Sequence, residues 1–220
     1  MTTTAVKERP ILMQPDMVLA TLNGTKTQTR RMRGLGVVND WLARKHSVAF
    51  HNRRRDGLYW FTVDGEYLSL RCPYGSPGER LWVRESYAPQ VGRDGFARGR
   101  YSADAAWFYA PSKNERHPGS SLVSGRTVPS IHMPRWASRL LLEITDVRVQ
   151  RVQEISERDA RAEGVQPRSI GRRLRAHQRS FKYLWSEING NESWDFNPYV
   201  WAITFKKAEI AWQRTPAFSG

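Results

Sequence analysis

A short basic segment, NGTKTQTRR at residues 23–31, contains residue types that a hydrolytic or a nucleic-acid-binding site needs. Thr29 offers a hydroxyl, which attacks a carbonyl only if a neighbouring base takes its proton. Lys26 could be that base if burial lowered its pKa, because a neutral amine accepts a proton and an ammonium does not. Glu163 could be the base instead, with Lys26 as its positive partner, a water as the nucleophile and Thr29 as a positioning group. The sequence leaves both mechanisms open.

Alternation along a regular strand places Lys26 and Thr29 on opposite faces, so a shared site needs a bulge or a twist between them. Arg31 lies on the same face as Thr29 and could bind a phosphate or stabilise an oxyanion. The alternative is a polar cleft that grips a ligand without reacting. We therefore expect Lys26, Thr29 and Glu163 to be the catalytic candidates.

A second polar pair follows apolar strand residues in LWVRE at residues 81–85. Arg84 and Glu85 could line a pocket, or they could form a structural ion pair. The candidate substrate-binding residues are Thr27, Arg31, Arg84 and Glu85.

The charge balance points to a polyanionic partner. The chain has 35 Lys and Arg against 21 Asp and Glu, a net charge of +14, and such a surface attracts nucleic acid. Clustered arginines would contact phosphates without sequence choice and in a salt-sensitive manner, unless they are only solvated loops. The candidate nucleic-acid contacts are Arg30, Arg53, Arg54, Arg55, Arg172, Arg173 and Arg175. Tryptophans could stack on bases, although the apolar spacing around Trp185 and Trp201 favours core positions.

Composition argues against several other classes. The single cysteine, Cys72, excludes an internal disulfide and indicates a reducing compartment, so we expect a cytoplasmic protein. The five histidines are dispersed, without the spacing of metal ligands, and we expect no metal. Neither G-x-x-x-x-G-K-[ST] nor G-x-G-x-x-G occurs, and we expect no nucleotide cofactor. No apolar run is long enough for a membrane span, and the first ten residues lack the apolar region of a signal peptide.

The elements that must position these residues are short. Residues 15–24, PDMVLATLNG, predict a helix that begins at Pro15 and ends at Gly24, and KTQTRR leaves it as a polar strand at an edge or a cleft wall. In residues 156–164, SERDARAEG predicts a helix capped by Ser156 and closed by Gly164. Phe181, Leu184, Trp185 and Ile188 have the spacing of an amphipathic helix.

Several segments predict strands. Asp64-Gly65 between LYWFTV and EYLSL predicts a hairpin with a type I′ turn. LWVRES, RLLLEITDVRVQRV and YVWAITFKK predict further strands. The second is either one long strand or a bent pair of strands broken near Thr145-Asp146, and the third is covered on both faces. Met32 to Arg55 is irregular and charged, which suggests an exposed insertion, and residues 88–130 suggest a long loop apart from AAWFYA.

Strands outnumber helices, so we expect one mainly β domain of the α+β class, a small β-barrel with flanking helices and loop insertions. The order of helix, NGTKTQTRR, GERLWVRE, LEITDVRVQRVQEISERDARAEG, amphipathic helix and NPYVWAITF resembles the ASCH domain of the PUA-like superfamily, in particular the longer ASCH-like proteins that phages encode. The resemblance covers most of residues 10–206, except insertions at about 33–70 and 92–130, and leaves residues 207–220 as a tail.

The resemblance implies a PUA-like barrel and recognition of RNA or of modified bases. The small N4-acetylcytidine amidohydrolases are similar at three reactive positions, which match Lys26, Thr29 and Glu163. One function that this similarity implies is a metal-independent hydrolase that removes an acyl group from a modified cytidine. A non-catalytic module that binds RNA or single-stranded DNA is the alternative, and a phage assembly or host-interaction protein is the third. The partner is then RNA, single-stranded DNA or a modified nucleoside, with no membrane and no cofactor.

Overall fold

In a computed structural model, the described chain comprises residues 6–53, 57–91, 96–110, 112, 114–115, 126–167 and 175–209. It has eleven strands and five α-helices, so the mainly β, α+β class is confirmed. No described helix combines the length and the apolar character needed to cross a membrane. The chain divides into two compact units, each built from separate segments, while the expectation of one domain stays a prediction. The described strands of neither unit close into a barrel, and the barrel also stays a prediction.

The first unit contains residues 1–23, 80–143 and 207–220. Strand β1 (Glu8–Leu12) runs parallel to β6 (Arg80–Arg84), which also pairs antiparallel with the first residues of β10 (Leu141–Arg151). Helix α1 (Pro15–Leu22) begins with proline at its first position and buries Val18, as the sequence predicts. Strand β10 is one continuous strand, which is the first of the two predicted alternatives, and its buried positions change from Leu142 and Ile144 to Val147 and Val149, so the alternation shifts by one residue near Thr145-Asp146.

A small sheet in the same unit corrects the expectation of a long loop over residues 88–130. Strands β7 (Tyr87–Val91), β8 (Ala97–Tyr101) and β9 (Trp107–Tyr109) are hydrogen-bonded in that order. Its inner face packs Tyr87, Tyr101 and Phe108 into a core cluster with Met133 and Ala137. These three aromatic rings form the buried apolar face of the sheet, which the surrounding Gly- and Arg-rich sequence did not indicate.

The second unit contains residues 24–79 and 144–206. Strand β2 (Gln28–Arg31) pairs antiparallel with β11 (Tyr199–Ala208), and the strand order is β10, β11, β2. A second sheet has the order β3 (Val48–Arg53), β4 (Tyr59–Val63) and β5 (Glu66–Leu70), and the predicted hairpin at Asp64-Gly65 is confirmed, with positive φ at both turn residues.

Three helices pack in this unit beside those strands. Helix α3 (Glu157–Ala162) has the predicted Ser156 cap, which accepts a hydrogen bond from Asp159 N. Helix α4 (Ala176–Asn189) buries Phe181 and Trp185 as predicted, whereas Ile188 is exposed. Helix α5 (Glu192–Phe196) contacts α4.

The predicted irregular insertion over residues 32–55 is wrong in part, because it contains helix α2 (Gly36–Ala43) and strand β3. Val38 and Asn39 of α2 are buried, and the Asn39 side chain exchanges two hydrogen bonds with the backbone of Tyr199. The Asn39 amide is tolerated in the interior because it bonds both the N–H and the carbonyl of Tyr199, the first residue of β11.

Candidate functional site

Lys26 and Glu163, two of the three candidate catalytic residues, meet inside the second unit. Their backbones form an isolated antiparallel bridge, and Lys26 Nζ lies 2.9 Å from Glu163 Oε2. Glu163 follows the last residue of α3, and Gly164, with φ of 80°, ends the helix. The Ser156 cap at one end and the glycine at the other therefore fix where the glutamate stands relative to Lys26.

The Lys26 ammonium donates three hydrogen bonds, which is all that it can donate. Two go to Glu163, to its carboxylate and to its main-chain oxygen, and the third goes to the main-chain oxygen of Gln28 at 2.8 Å. Strand β2 is the last strand in its order. The ammonium therefore caps a backbone carbonyl at the edge of the sheet.

Arg30 completes the cluster from the same face of β2. Its Nη1 donates to Glu163 Oε1 at 2.9 Å and to Gln28 Oε1 at 2.7 Å, and its Nη2 lies 3.3 Å from Asp159 Oδ2. The guanidinium also lies 5.6 Å from the ring centre of Phe181 on α4. One carboxylate thus joins two cations, and both oxygens of Glu163 are occupied.

The cluster is almost completely removed from solvent. Lys26 is 4% exposed, Glu163 3% and Arg30 5%. Burial lowers the pKa of the Lys26 ammonium from its ordinary value, while the charge and the hydrogen bond of Glu163 oppose that shift. Two cations and Glu163 are retained in this interior because their hydrogen bonds replace most of the lost hydration.

Thr29, the third candidate catalytic residue, is not brought to this cluster. Gln28 and Arg30 point to α3, so alternation sends Thr29 to the opposite face, where it is paired across the sheet with Ile203. It is buried there, and no hydrogen bond joins its hydroxyl to Lys26 or Glu163 among the described residues. The sequence required a bulge for the two residues to converge, and β2 instead pairs regularly with β11.

Thr27 and Arg31, predicted to bind substrate, are not among the residues that the cluster's ion pairs join, although, in addition to burial, the charge of Arg31 helps to lower the pKa of Lys26. Thr27 is exposed, and its backbone bonds Ala162 O at 2.8 Å and Phe205 N at 2.9 Å. Arg31 is paired with Trp201 on the face of Thr29 and is half-buried. Burial raises the pKa of Tyr74, and the positive charge of Arg31 opposes this rise, which puts Arg31 in the neighbourhood of that phenol.

The predicted pair Arg84 and Glu85 belongs to the first unit. Glu85 is buried and accepts two hydrogen bonds from Arg139, at 2.8 and 2.9 Å, so it forms a structural ion pair with Arg139 and not with Arg84. Arg139 also donates to Asp104 at 2.7 Å, and burial raises the pKa of Glu85 against the opposing effect of Arg139. Arg84 does not take part, since its guanidinium stacks 4.7 Å from the ring centre of Trp82.

The predicted phosphate contacts have different outcomes. Arg30 has a fully buried side chain that contacts Glu163, so it cannot contact a polyanion at the surface. Arg175 is exposed at the start of α4 with φ of 60°. Arg53 ends β3, but its side chain is not described. The remaining candidates lie outside the described residues: Arg54, Arg55, Arg172 and Arg173.

Three partners in these clusters, Asp159, Gln28 and Arg139, were not identified from the sequence, although a signal existed for the first two. Asp159 and Glu163 are four residues apart, which puts both on one face of a helix, and Gln28 and Arg30 are two apart on a strand. Arg139, which holds Glu85, has no such local signal because 54 residues separate the two.

No group of His, Cys, Asp and Glu side chains in the described part of the chain is arranged to hold a metal ion. A comparison with protein-family models, with curated proteins and with solved structures finds no match to the chain.

Proposed function

We propose that the protein binds single-stranded nucleic acid, RNA or DNA, without hydrolysing it. The polyanion is suggested by the net charge of +14. The observation that argues against hydrolysis is the bonding of Lys26. All three N–H donors of its ammonium bond to acceptors of the protein itself. A general base needs a free lone pair within reach of the nucleophile; an ammonium has none, and the three acceptors around Lys26 favour this protonated form.

The Lys26, Arg30 and Glu163 cluster supports a structural role in this proposal. It ties α3 to β2 through buried contacts of 2.9 Å. A ligand could reach it only after these bonds were broken, which would leave charges buried without partners at a large energetic cost. The resemblance to the ASCH domain of the PUA-like superfamily supports the same proposal, because it implies recognition of RNA.

An amidohydrolase acting on an acylated cytidine is the second candidate, and the contact between Lys26 and Glu163 favours it. These are two of the three positions that resemble the amidohydrolases. Burial moves the pKa of Lys26 downward, in the direction that a lysine base requires. The mechanism in which Thr29 is the nucleophile would also need its hydroxyl within hydrogen-bond reach of the base.

Substitution of Thr29 by valine separates the two candidates, because valine keeps the shape of threonine and removes only the hydroxyl. Wild type and Thr29→Val are assayed for release of acetate from N4-acetylcytidine, free and within RNA, and for binding of a labelled single-stranded oligonucleotide. We expect no turnover from either protein and equal, strongly salt-dependent binding from both.

Turnover by the wild type would refute the proposal, and its loss in Thr29→Val would show that the hydroxyl takes part in the reaction. Neither turnover nor binding at physiological salt would leave the third reading, a phage assembly or host-interaction protein.

A further inference from the structure

The small sheet of the first unit presents an outer face made of arginines and aromatic rings. Across β8 and β9, Arg98 is paired with Tyr109 and Arg100 with Trp107. The intervening pair, Gly99 and Phe108, belongs to the inner face, because Phe108 lies in the core cluster. Alternation therefore places all four residues on the outer side of the sheet. We call this set, Arg98, Arg100, Trp107 and Tyr109, the arginine–aromatic face.

Both rings of this face are unusually exposed. Trp107 is 45% exposed and Tyr109 is 64% exposed. Large aromatic side chains normally bury most of their area, and exposed aromatic positions in rows often mark a binding surface. The two rings are two residues apart on one strand, so their origins are separated by about 6.8 Å, which is roughly two base steps of a stacked strand.

The guanidinium groups are arranged around the tryptophan. Arg98 and Arg100 lie 5.8 and 5.4 Å from the ring centre of Trp107. Arg100 Nε also donates to Ala105 O at 3.1 Å, which orients its side chain on the sheet. Cation–π contacts of this kind hold a flat ring and a positive charge at one place.

No carboxylate belongs to this face among the described residues of β7, β8 and β9. The acidic residue nearest in sequence, Asp104 in the turn after β8, is held by Arg139 at 2.7 Å, and that hydrogen bond lowers its pKa. The face therefore combines two positive charges with two rings that are partly exposed to solvent. It suits a ligand that carries both repeated negative charges and flat rings.

We propose that the arginine–aromatic face binds single-stranded nucleic acid, with bases stacked on Trp107 and Tyr109 and phosphates held by Arg98 and Arg100. This proposal rests on the proposed function and assigns its binding surface. A duplex fits less well, because its bases are already stacked on one another and only its phosphates are available. An acidic peptide would satisfy the arginines but would leave the ring faces without partners.

The test is fluorescence anisotropy with labelled oligonucleotides of about 15 residues, as single-stranded DNA, as single-stranded RNA and as a duplex. The full-length wild type is compared with a Trp107→Ala, Tyr109→Ala variant. The matched control is Tyr67→Ala, Tyr183→Ala, which removes two rings that are 74% and 57% exposed in the second unit. Thermal unfolding of each variant verifies that the fold is kept.

We expect the loss of each ring to weaken the affinity for single strands by about 5- to 150-fold, so the variant Trp107→Ala, Tyr109→Ala, which lacks both rings, should lose more than one such factor. The control variant should bind like wild type. Trp107→Phe, which retains a stacking surface, should retain most of the affinity. Arg98→Gln and Arg100→Gln should each reduce the slope of log affinity against log salt by about 0.7. The DNA and RNA arms show which single strand is preferred.

Wild-type binding that is unaffected by Trp107→Ala, Tyr109→Ala would overturn this assignment and leave the proposed function intact. Duplex binding as tight as single-strand binding would also overturn it. Failure of the wild type to bind any of the three probes would refute the proposed function itself.

Discussion

Replacement of Glu163 by glutamine tests whether the buried cluster holds the second unit together. The glutamate contacts Lys26 Nζ and Arg30 Nη1, each at 2.9 Å, and all three residues are at most 5% exposed. The amide keeps the shape but has one acceptor oxygen, so its NH₂ group must face one of the two cations. Removing the partner of a buried charge costs about 3–5 kcal/mol.

A loss of that size is a large part of the ~5–15 kcal/mol that stabilises a typical protein, and it corresponds to a fall in melting temperature of about 6–20 °C. The measurement is urea unfolding followed by circular dichroism. Asp195→Asn is the matched control, because Asp195 is 81% exposed in an ion pair with Lys182 and should contribute less than about 1 kcal/mol. Equal, small losses for Glu163→Gln and Asp195→Asn would refute the reasoning.

The remaining predictions concern a pKa, a cap and a close contact, each measured by urea unfolding. Because burial lowers the pKa of Lys26 in the folded state, the unfolded chain binds that proton more tightly between the two pKa values. Wild type should therefore gain stability relative to Lys26→Met as the pH rises through that window, and a difference that is constant or falls would contradict this. Ser156→Ala removes the hydrogen bond from Asp159 N and should cost about 1 kcal/mol, with a normal m-value. Gly99→Ala puts a methyl group 2.6 Å from Phe108 and should cost about 1–3 kcal/mol, whereas Gly36→Ala, with open space around it, should cost nothing.

Local signals predicted the elements that carry the site. The proline start of α1, the Ser156 cap, the Asp64-Gly65 turn and the alternation of β2 act over a few residues, and each is present in the structure. The alternation also indicated correctly that Thr29 does not face Lys26. These features are readable because backbone geometry and capping depend on near neighbours.

The small sheet of the first unit, β7 to β9, could not be predicted from local sequence signals. Tyr87, Tyr101 and Phe108 bury one face of it, but glycine and arginine between them mask the alternation of apolar residues. The burial of Arg30 was missed for a different reason. An arginine in a basic segment resembles a surface residue until its partner Glu163, 133 positions away, is placed beside it.

The position of Lys26 at the edge of β2 has a consequence for association between molecules. A terminal strand with open carbonyl groups is a template on which another chain can add a strand. Here the Gln28 carbonyl is already bonded to the lysine, and the bridge between Lys26 and Glu163 covers the neighbouring backbone. The ion pair that joins Lys26 to Glu163 therefore also blocks this strand edge. Breaking it would expose the backbone groups of Lys26 and the Gln28 carbonyl, to which a second chain could bond while the protein is still folded.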